Sequence, residues 1–208
     1  MAGQTTVLNL CCIVEGKGDV SALRVLIERL SEESNGGFWV NLVKNPLRTS
    51  KHRLIRQDDD TELRKKISLA ALNLEGISTP RGILILIDAD DDCPAKLGPE
   101  LLNRARHLRS DIPMSVVVAK SEYESWLLAG IEGLEGNHGF PEELSPINDP
   151  ELIRNGKGKL GELRSSHGVY KPTADQASLT SSFDLAKARE RSASFSRFCR
   201  QISSLLEQ

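Results

Sequence analysis

Aromatic side chains are scarce in this chain: five Phe, two Trp and two Tyr make up 4% of its 208 residues. A platform on which successive bases of a single strand stack needs more of them, so that mode of nucleic-acid recognition is excluded. The four cysteines, Cys11, Cys12, Cys93 and Cys199, form no CxxC pair, and no Cys/His grouping has zinc-finger spacing. His52, His107, His138 and His167 are scattered, which argues against a histidine-built metal site. The longest apolar runs, over 11–14 and 83–87, fall far short of the roughly 18 residues of a membrane span. Residues 1–4 lack the charged-then-apolar layout of a secretory signal. The expectation is a protein of the reduced cytoplasm with no membrane partner. Charge of one sign is not in excess either. The 27 Lys+Arg face 29 Asp+Glu, for a formal net charge of −2. That balance excludes binding to nucleic acid by bulk positive charge, while leaving room for a local basic groove.

What is present is enough apolar residue for a core, 39% of the chain, in a length that suits one domain. The run over 7–14 reads as a strand buried on both faces and ends at Glu15-Gly16. Val20, Leu23, Leu26, Ile27 and Leu30 then recur at helical spacing, with Asp19 in the N-cap role. A second strand is expected over 38–43, a Lys/Arg-rich loop over 44–58, and a helix carrying Leu63, Ile67, Ala70, Ala71 and Leu74. The clearest strand, 82–87, runs straight into Asp88-Ala89-Asp90-Asp91-Asp92. Pro94 and Pro99 lead into a further helix, and a fourth strand covers 115–119. Strands separated by amphipathic helices imply βαβ units and an α/β fold with a mainly parallel sheet. The expected organisation is an α/β core over 1–130. Residues 131–208 then form a loop and helical extension packed on that core, closed by a helix carrying Phe195, Phe198, Ile202 and Leu205 behind a serine cap.

Ligands of parallel α/β sheets bind beyond the carboxyl ends of the strands. Acidic residues stand at three such ends: Glu15 with Asp19, Asp88 with Asp90, and Glu122 with Glu124. Each by itself reads as a helix cap or a solvated turn; only the combination carries information. Carboxylates gathered on one edge repel one another unless a cation neutralises them. All-oxygen ligands of this kind suit Mg²⁺ or Mn²⁺ over Zn²⁺, and two such ions a few ångströms apart would give a two-metal site for phosphoryl transfer or phosphodiester cleavage. Substrate phosphates need a positive surface. Lys44, Arg48, Lys51, Arg53 and Arg56 offer one, and Arg189 and Arg191 another, against the plainer reading of both as solvated faces. Gly16-Lys17-Gly18 and Gly156-Lys157-Gly158-Lys159 lack the spacing of a phosphate loop.

A Glu-Gly closing the first strand, an Asp at the next helix start and a hydrophobic strand ending in DxD resemble the TOPRIM fold. Here these are Val14-Glu15-Gly16 with Asp19, and Leu86-Ile87-Asp88-Ala89-Asp90. Three later segments, over 122–129, 170–175 and 191–198, resemble one bacterial TOPRIM-like family, domain of unknown function 4276, related to the OLD-type (overcoming lysogenization defect) nucleases. The resemblance implies a Rossmann-like α/β core and a Mg²⁺- or Mn²⁺-dependent nuclease acting on DNA in preference to RNA. It also implies a separate OLD- or SMC-like ATPase subunit as partner in anti-phage defence, and leaves an oligomer open. Carried over residue by residue, it makes Glu15 a metal ligand or general acid–base group, with Asp19 assisting. Asp88 and Asp90 become the DxD ligands, Glu122 or Glu124 a further ligand, and Lys171 the lysine that stabilises charge on the scissile phosphate. Two rivals stand beside this reading: a non-catalytic TOPRIM-shaped subunit that binds nucleic acid or a partner, and a HAD-like phosphatase with Asp88 as nucleophile.

Overall fold

The apolar run that begins the chain forms strand β1 (Thr6–Val14), the spine of a five-stranded sheet. The computed structural model describes residues 5–78, 80–164 and 168–207. Residues 1–4, read above for a secretory signal, and His167 lie outside them. On one side β1 pairs with β4 (Arg81–Asp88), which pairs with β5 (Met114–Ala119). On its other side β2 (Phe38–Leu42) covers its first half and the two-residue β3 (Leu47–Arg48) its last. All these pairings are parallel, so every strand delivers its carboxyl end to one edge. The register sets what meets there. Val14 lies opposite Leu86 and Arg48, and Asp88 opposite Ala119, so Glu15 leaves β1 level with the end of β4.

Helices cover both faces. Leu8, Leu10, Cys12 and Val14 point to one face, where α1 (Lys17–Glu33), α5 (Glu124–Ala129), α7 (Pro172–Thr180), α8 (Leu185–Arg191) and α9 (Ala193–Leu206) pack. Cys11 and Ile13 point to the other, under α2 (Lys51–Leu54), α3 (Thr61–Asn73) and α4 (Pro94–Leu108). Burial on both sides is why these strands read as continuous apolar runs rather than alternating ones. The fold is Rossmann-like α/β. The short α6 (Gly156–Leu163) stands against α5. Among the described residues no helix is long and apolar enough to cross a membrane.

Three local expectations change. First, α1 begins at Lys17, so Asp19 is not its N-cap. It sits in the first turn and its carboxylate reaches back to accept the Gly16 N–H at 2.7 Å. Second, residues 44–58 are not all loop, because they contain β3 and α2. Both are too short to leave a periodicity in sequence, and β3 exists only because β1 extends past β2 and offers it a partner. Third, α4 starts at Pro94 rather than after Pro99, which lies inside the helix. Pro at the first helical position forfeits no bond, whereas Pro99 forfeits one i→i−4 hydrogen bond, a loss offset by burial of Leu101 and Ala105.

The C-terminal helices are tied to the sheet by one aromatic cluster. Trp126 of α5 is fully buried, with ring centroids 5.1 Å from Tyr123, 5.3 Å from Phe195 and 5.3 Å from Phe198. Trp39, by contrast, lies on the exposed surface of edge strand β2. The Trp126 indole N–H donates to Ser194 Oγ at 2.8 Å, and Ser194 Oγ donates in turn to Glu151 at 2.6 Å. Ser192 caps α9, accepting the Phe195 N–H at 3.0 Å. Truncating Trp126 removes apolar burial and one of the two N–H donors to the Ser194 hydroxyl together. Trp126→Ala is therefore expected to lose about 3–5 kcal/mol of stability in urea unfolding, against about 1 kcal/mol for Ser194→Ala. Equal losses would show that the indole packing is not what anchors the helices.

Candidate functional site: carboxylates at the edge of the sheet

Asp88, the last residue of β4, is delivered by the sheet into a setting hostile to its charge. Its Oδ1 accepts the Tyr123 N–H at 2.9 Å. Burial, and then the negative charges of Asp19 and Glu124, hold its carboxyl well above the usual range; Lys157 pulls the other way and Glu15 adds to the rise. Glu15, directly after β1, accepts the Lys51 N–H on Oε1 at 3.1 Å. Its Oε2 is buried and has no hydrogen-bond partner among the described residues. Asp19 is buried, with Oδ2 on the Gly16 N–H and Oδ1 accepting from Gln176 Nε2 at 2.8 Å. Glu15, Asp19 and Asp88 have no ion-pair partner among the described residues.

The other two carboxylates brought to this edge are neutralised. Glu122 follows β5, and Glu124 opens α5 almost fully buried. The Lys157 ammonium pairs with Glu122 and stands 3.2 Å from Glu124 Oε2, while the Lys157 N–H donates to Glu122 Oε1 at 3.2 Å. Tyr170 Oη donates to Glu124 Oε1 at 3.0 Å. Burial works to lower the Lys157 pKa, but Glu124, Glu122 and Asp88 more than offset it and leave the ammonium firmly charged. Glu124 shifts upward, from burial first, with Lys157 opposing and Glu122 adding. Close approach of α6 makes the pairing feasible. A Cβ on Gly156 would stand 2.9 Å from Glu122 Oε1 and 3.0 Å from Glu124 Cβ. The segment around Gly156 that superficially suggests a phosphate loop thus serves to bring a lysine to two carboxylates.

Asp90 does not join the cluster. Its backbone is left-handed (φ 49°) and its side chain, 63% exposed, pairs with Lys51. Lys51 Nζ also lies 3.2 Å from Asp92 Oδ2 and donates to the Ala89 carbonyl at 2.9 Å. Burial works to lower the Lys51 pKa, yet its contacts with Asp90 and Asp92 leave it raised. A residue expected on the basic surface is therefore a buried strut. Arg56 is likewise engaged, 3.1 Å from Asp58. Arg189 pairs with Glu33 at the far end of α1, roughly 21 Å of helix away from Asp19. Arg191 pairs with Glu132 at 2.6 Å and reaches the Ala129 carbonyl. Neither is brought to the carboxylate edge. Lys44, with φ 111°, is exposed and outside the cluster, whereas Arg48 and Arg53 line a cleft that opens on Glu15.

Lys171 is exposed at the start of α7, and only its backbone is held, by Asp175 at 2.7 Å. It lies near the edge all the same. A Cβ on Gly18 would meet the Pro172 carbonyl oxygen at 2.8 Å and Gln176 Oε1 at 2.0 Å, so α7 rests against the turn that carries Asp19. Lys157, Gln176, Tyr123 and Tyr170 are the residues of this site that the sequence reading did not assign to it. Glycines on both sides of Lys157 were the one available signal, being consistent with close approach. Nothing local marks Gln176, which meets Asp19 from 157 residues away.

A parallel α/β sheet with buried carboxylates along its carboxyl edge is the class of protein these features define. The chain belongs to the family described as Domain of unknown function (DUF4276), whose model matches residues 14–203 and so spans every carboxylate of the edge. No curated protein and no solved structure matches it significantly.

The elevated carboxyl of Asp88 has a consequence for stability. The folded state holds its proton to a higher pH than the unfolded chain does, so stability falls as pH rises from about 3.9 through the folded value. Asp88→Asn keeps the Tyr123 N–H satisfied and removes that loss. In chelator, its thermal midpoint should exceed that of the parent protein by about 2–4 °C at pH 7, with the gain vanishing near pH 4. A midpoint lowered at neutral pH would show that the Asp88 charge is compensated.

Proposed function

We propose that the chain is a metal-dependent phosphodiesterase of the TOPRIM type, a nuclease related to the OLD-type enzymes that acts on DNA in preference to RNA. The observation that carries this reading is the Glu15 Oε2 atom, buried without a partner on an edge where burial and like charges already destabilise ionised Asp88. Donor chemistry fits a hard divalent cation: oxygens only, with more negative charge at the centre than the protein itself neutralises. Among the described residues no three Asp, Glu, His or Cys side chains stand together as a ready coordination shell. Glu15, Asp19 and Asp88, whose carboxylates now accept from N–H donors, are the residues that would hold Mg²⁺ or Mn²⁺.

Bound there, the ion supplies Lewis-acid stabilisation of the phosphoryl oxygens and a more acidic water. Glu15 Oε2 takes the proton of the attacking water as its oxygen bonds to phosphorus and the ester P–O bond breaks; the leaving oxygen is protonated from solvent. Lys157, oriented by Glu122 and Glu124, provides fixed positive charge beside the reacting phosphate. Lys171, at the rim, meets the phosphates flanking it. Asp90, released from Lys51, is available as a further ligand. An ATPase in a separate chain completes the proposed setting in anti-phage defence.

The non-catalytic reading draws on one observation of its own: Lys157 is already paired with Glu122 and Glu124 of the edge, and Lys51 with Asp90 and Asp92 beside it. Plasmid cleavage and hydrolysis of bis(p-nitrophenyl) phosphate by the purified protein, with Mg²⁺ or Mn²⁺, separate the two. We expect metal-dependent turnover that falls about 10²–10⁴-fold in Glu15→Gln and Asp88→Asn, and about 10²-fold in Lys157→Ala. Calorimetric metal binding without turnover on either substrate would favour the binding subunit instead.

A further inference from the structure

Beside the carboxylate edge, on the α3 side of the sheet, lies a cleft of about 610 Å³ whose floor includes Glu15. Arg48 of β3, Arg53 of α2, and Lys65 and Lys66 of α3 line it, with Glu62 between them. Four cations against two carboxylates make it locally positive on a chain whose formal net charge is −2. Its walls are braced from within. Lys66 Nζ donates to the Arg48 carbonyl at 2.8 Å and lies 3.6 Å from Glu62, and the Thr49 hydroxyl donates to Glu62 at 2.8 Å. That hydrogen bond holds the Glu62 carboxyl below the usual range and keeps it charged. Arg48, Arg53 and Lys65 are different: all three are exposed, and among the described residues none has an ion-pair partner. A loop whose five Lys and Arg side chains look equivalent in sequence is thus divided in the folded chain. Lys51 and Arg56 are consumed by aspartates, and the unpaired heads gather where the cleft opens on Glu15.

We propose that this cleft is the track on which the phosphate backbone of duplex DNA is held so that a phosphodiester reaches Glu15. The inference rests on the reading of Glu15 as part of a phosphodiester-cleaving centre. Its lining holds guanidinium, ammonium and hydroxyl groups and not one aromatic ring. Such a surface binds phosphates and offers bases nothing to stack on, so it selects a backbone whose bases are already paired and reads no sequence. Thr49 and Ser50 line the same cleft as the cations and Glu15.

Fluorescence anisotropy with a short DNA duplex, in chelator so that no cleavage occurs, tests the track separately from the chemistry. The triple variant Arg48→Gln, Arg53→Gln, Lys65→Gln changes only exposed side chains, and its thermal midpoint checks that it folds. We expect duplex binding about 10- to 100-fold weaker at about 100 mM salt, with the slope of log affinity against log salt shallower by about 2–3. Lys187→Gln, Arg197→Gln and Arg200→Gln, on α8 and α9 across the sheet, should leave both unchanged. The proposal is overturned if the triple variant binds duplex as the parent does, if the α8–α9 variant weakens binding equally, if single strands bind more tightly than duplex, or if the parent binds no DNA. Turnover of the small diester in that last case leaves the cleaving centre standing without the track. Duplex binding lost in the triple variant, with no turnover of any substrate, leaves the track standing without the centre.

Discussion

Placing a carboxylate at the buried end of the second central strand is the constraint around which the rest of this structure is arranged. Parallel pairing puts Asp88, Glu15, Asp19, Glu122 and Glu124 on one edge, and low-dielectric surroundings make each uncompensated charge there costly. The protein answers with two lysines brought from outside the sheet. Lys157 comes in on α6, made possible by Gly156, and Lys51 comes in on the single turn of α2. Between the two braced flanks, among the described residues, Asp88, Asp19 and Glu15 hold only N–H donors, and one oxygen of Glu15 holds nothing. An edge so arranged gives up stability for a site, the pattern expected where strain and unpaired groups serve chemistry.

The C-terminal part of the chain completes the core. Trp126, Phe195 and Phe198 close one face of the sheet, and the same packing carries α7 against α1, where Gln176 reaches Asp19. Packing and site are therefore coupled through α1 and α5. Glu124 and Trp126 belong to one short helix, so the turn that buries the indole also fixes the carboxylate that Lys157 and Tyr170 hold. Ser194 extends this coupling, because it accepts both the Trp126 indole N–H and the Lys120 backbone N–H at the end of β5.

Charge balance looks different after folding. A formal net of −2 is the average of an acidic edge, an adjoining basic cleft and a set of internal ion pairs. Arg189 and Arg191 resemble Arg48 and Arg53 in sequence, but the first two are spent on Glu33 and Glu132.

The sequence by itself determined the parallel α/β fold and the positions of β1, β4 and β5. Burial on both faces leaves continuous apolar runs, and the acidic groups at strand ends follow from the chain direction, which local composition can report. Glu15, Asp19, Asp88, Glu122 and Glu124 were legible for that reason. Their consequences were not. Which cation neutralises which carboxylate depends on contacts between residues far apart in the chain, such as Lys157 with Glu122 and Lys51 with Asp90 and Asp92. Local periodicity carries no trace of them, and β3 and α2 are too short to show any. Tertiary structure alone decided that Asp90 turns outward to Lys51, that Arg189 lies at the opposite end of α1, and that Gln176 closes on Asp19. In each case a close approach across the fold, set by packing, fixed where the charge ended up.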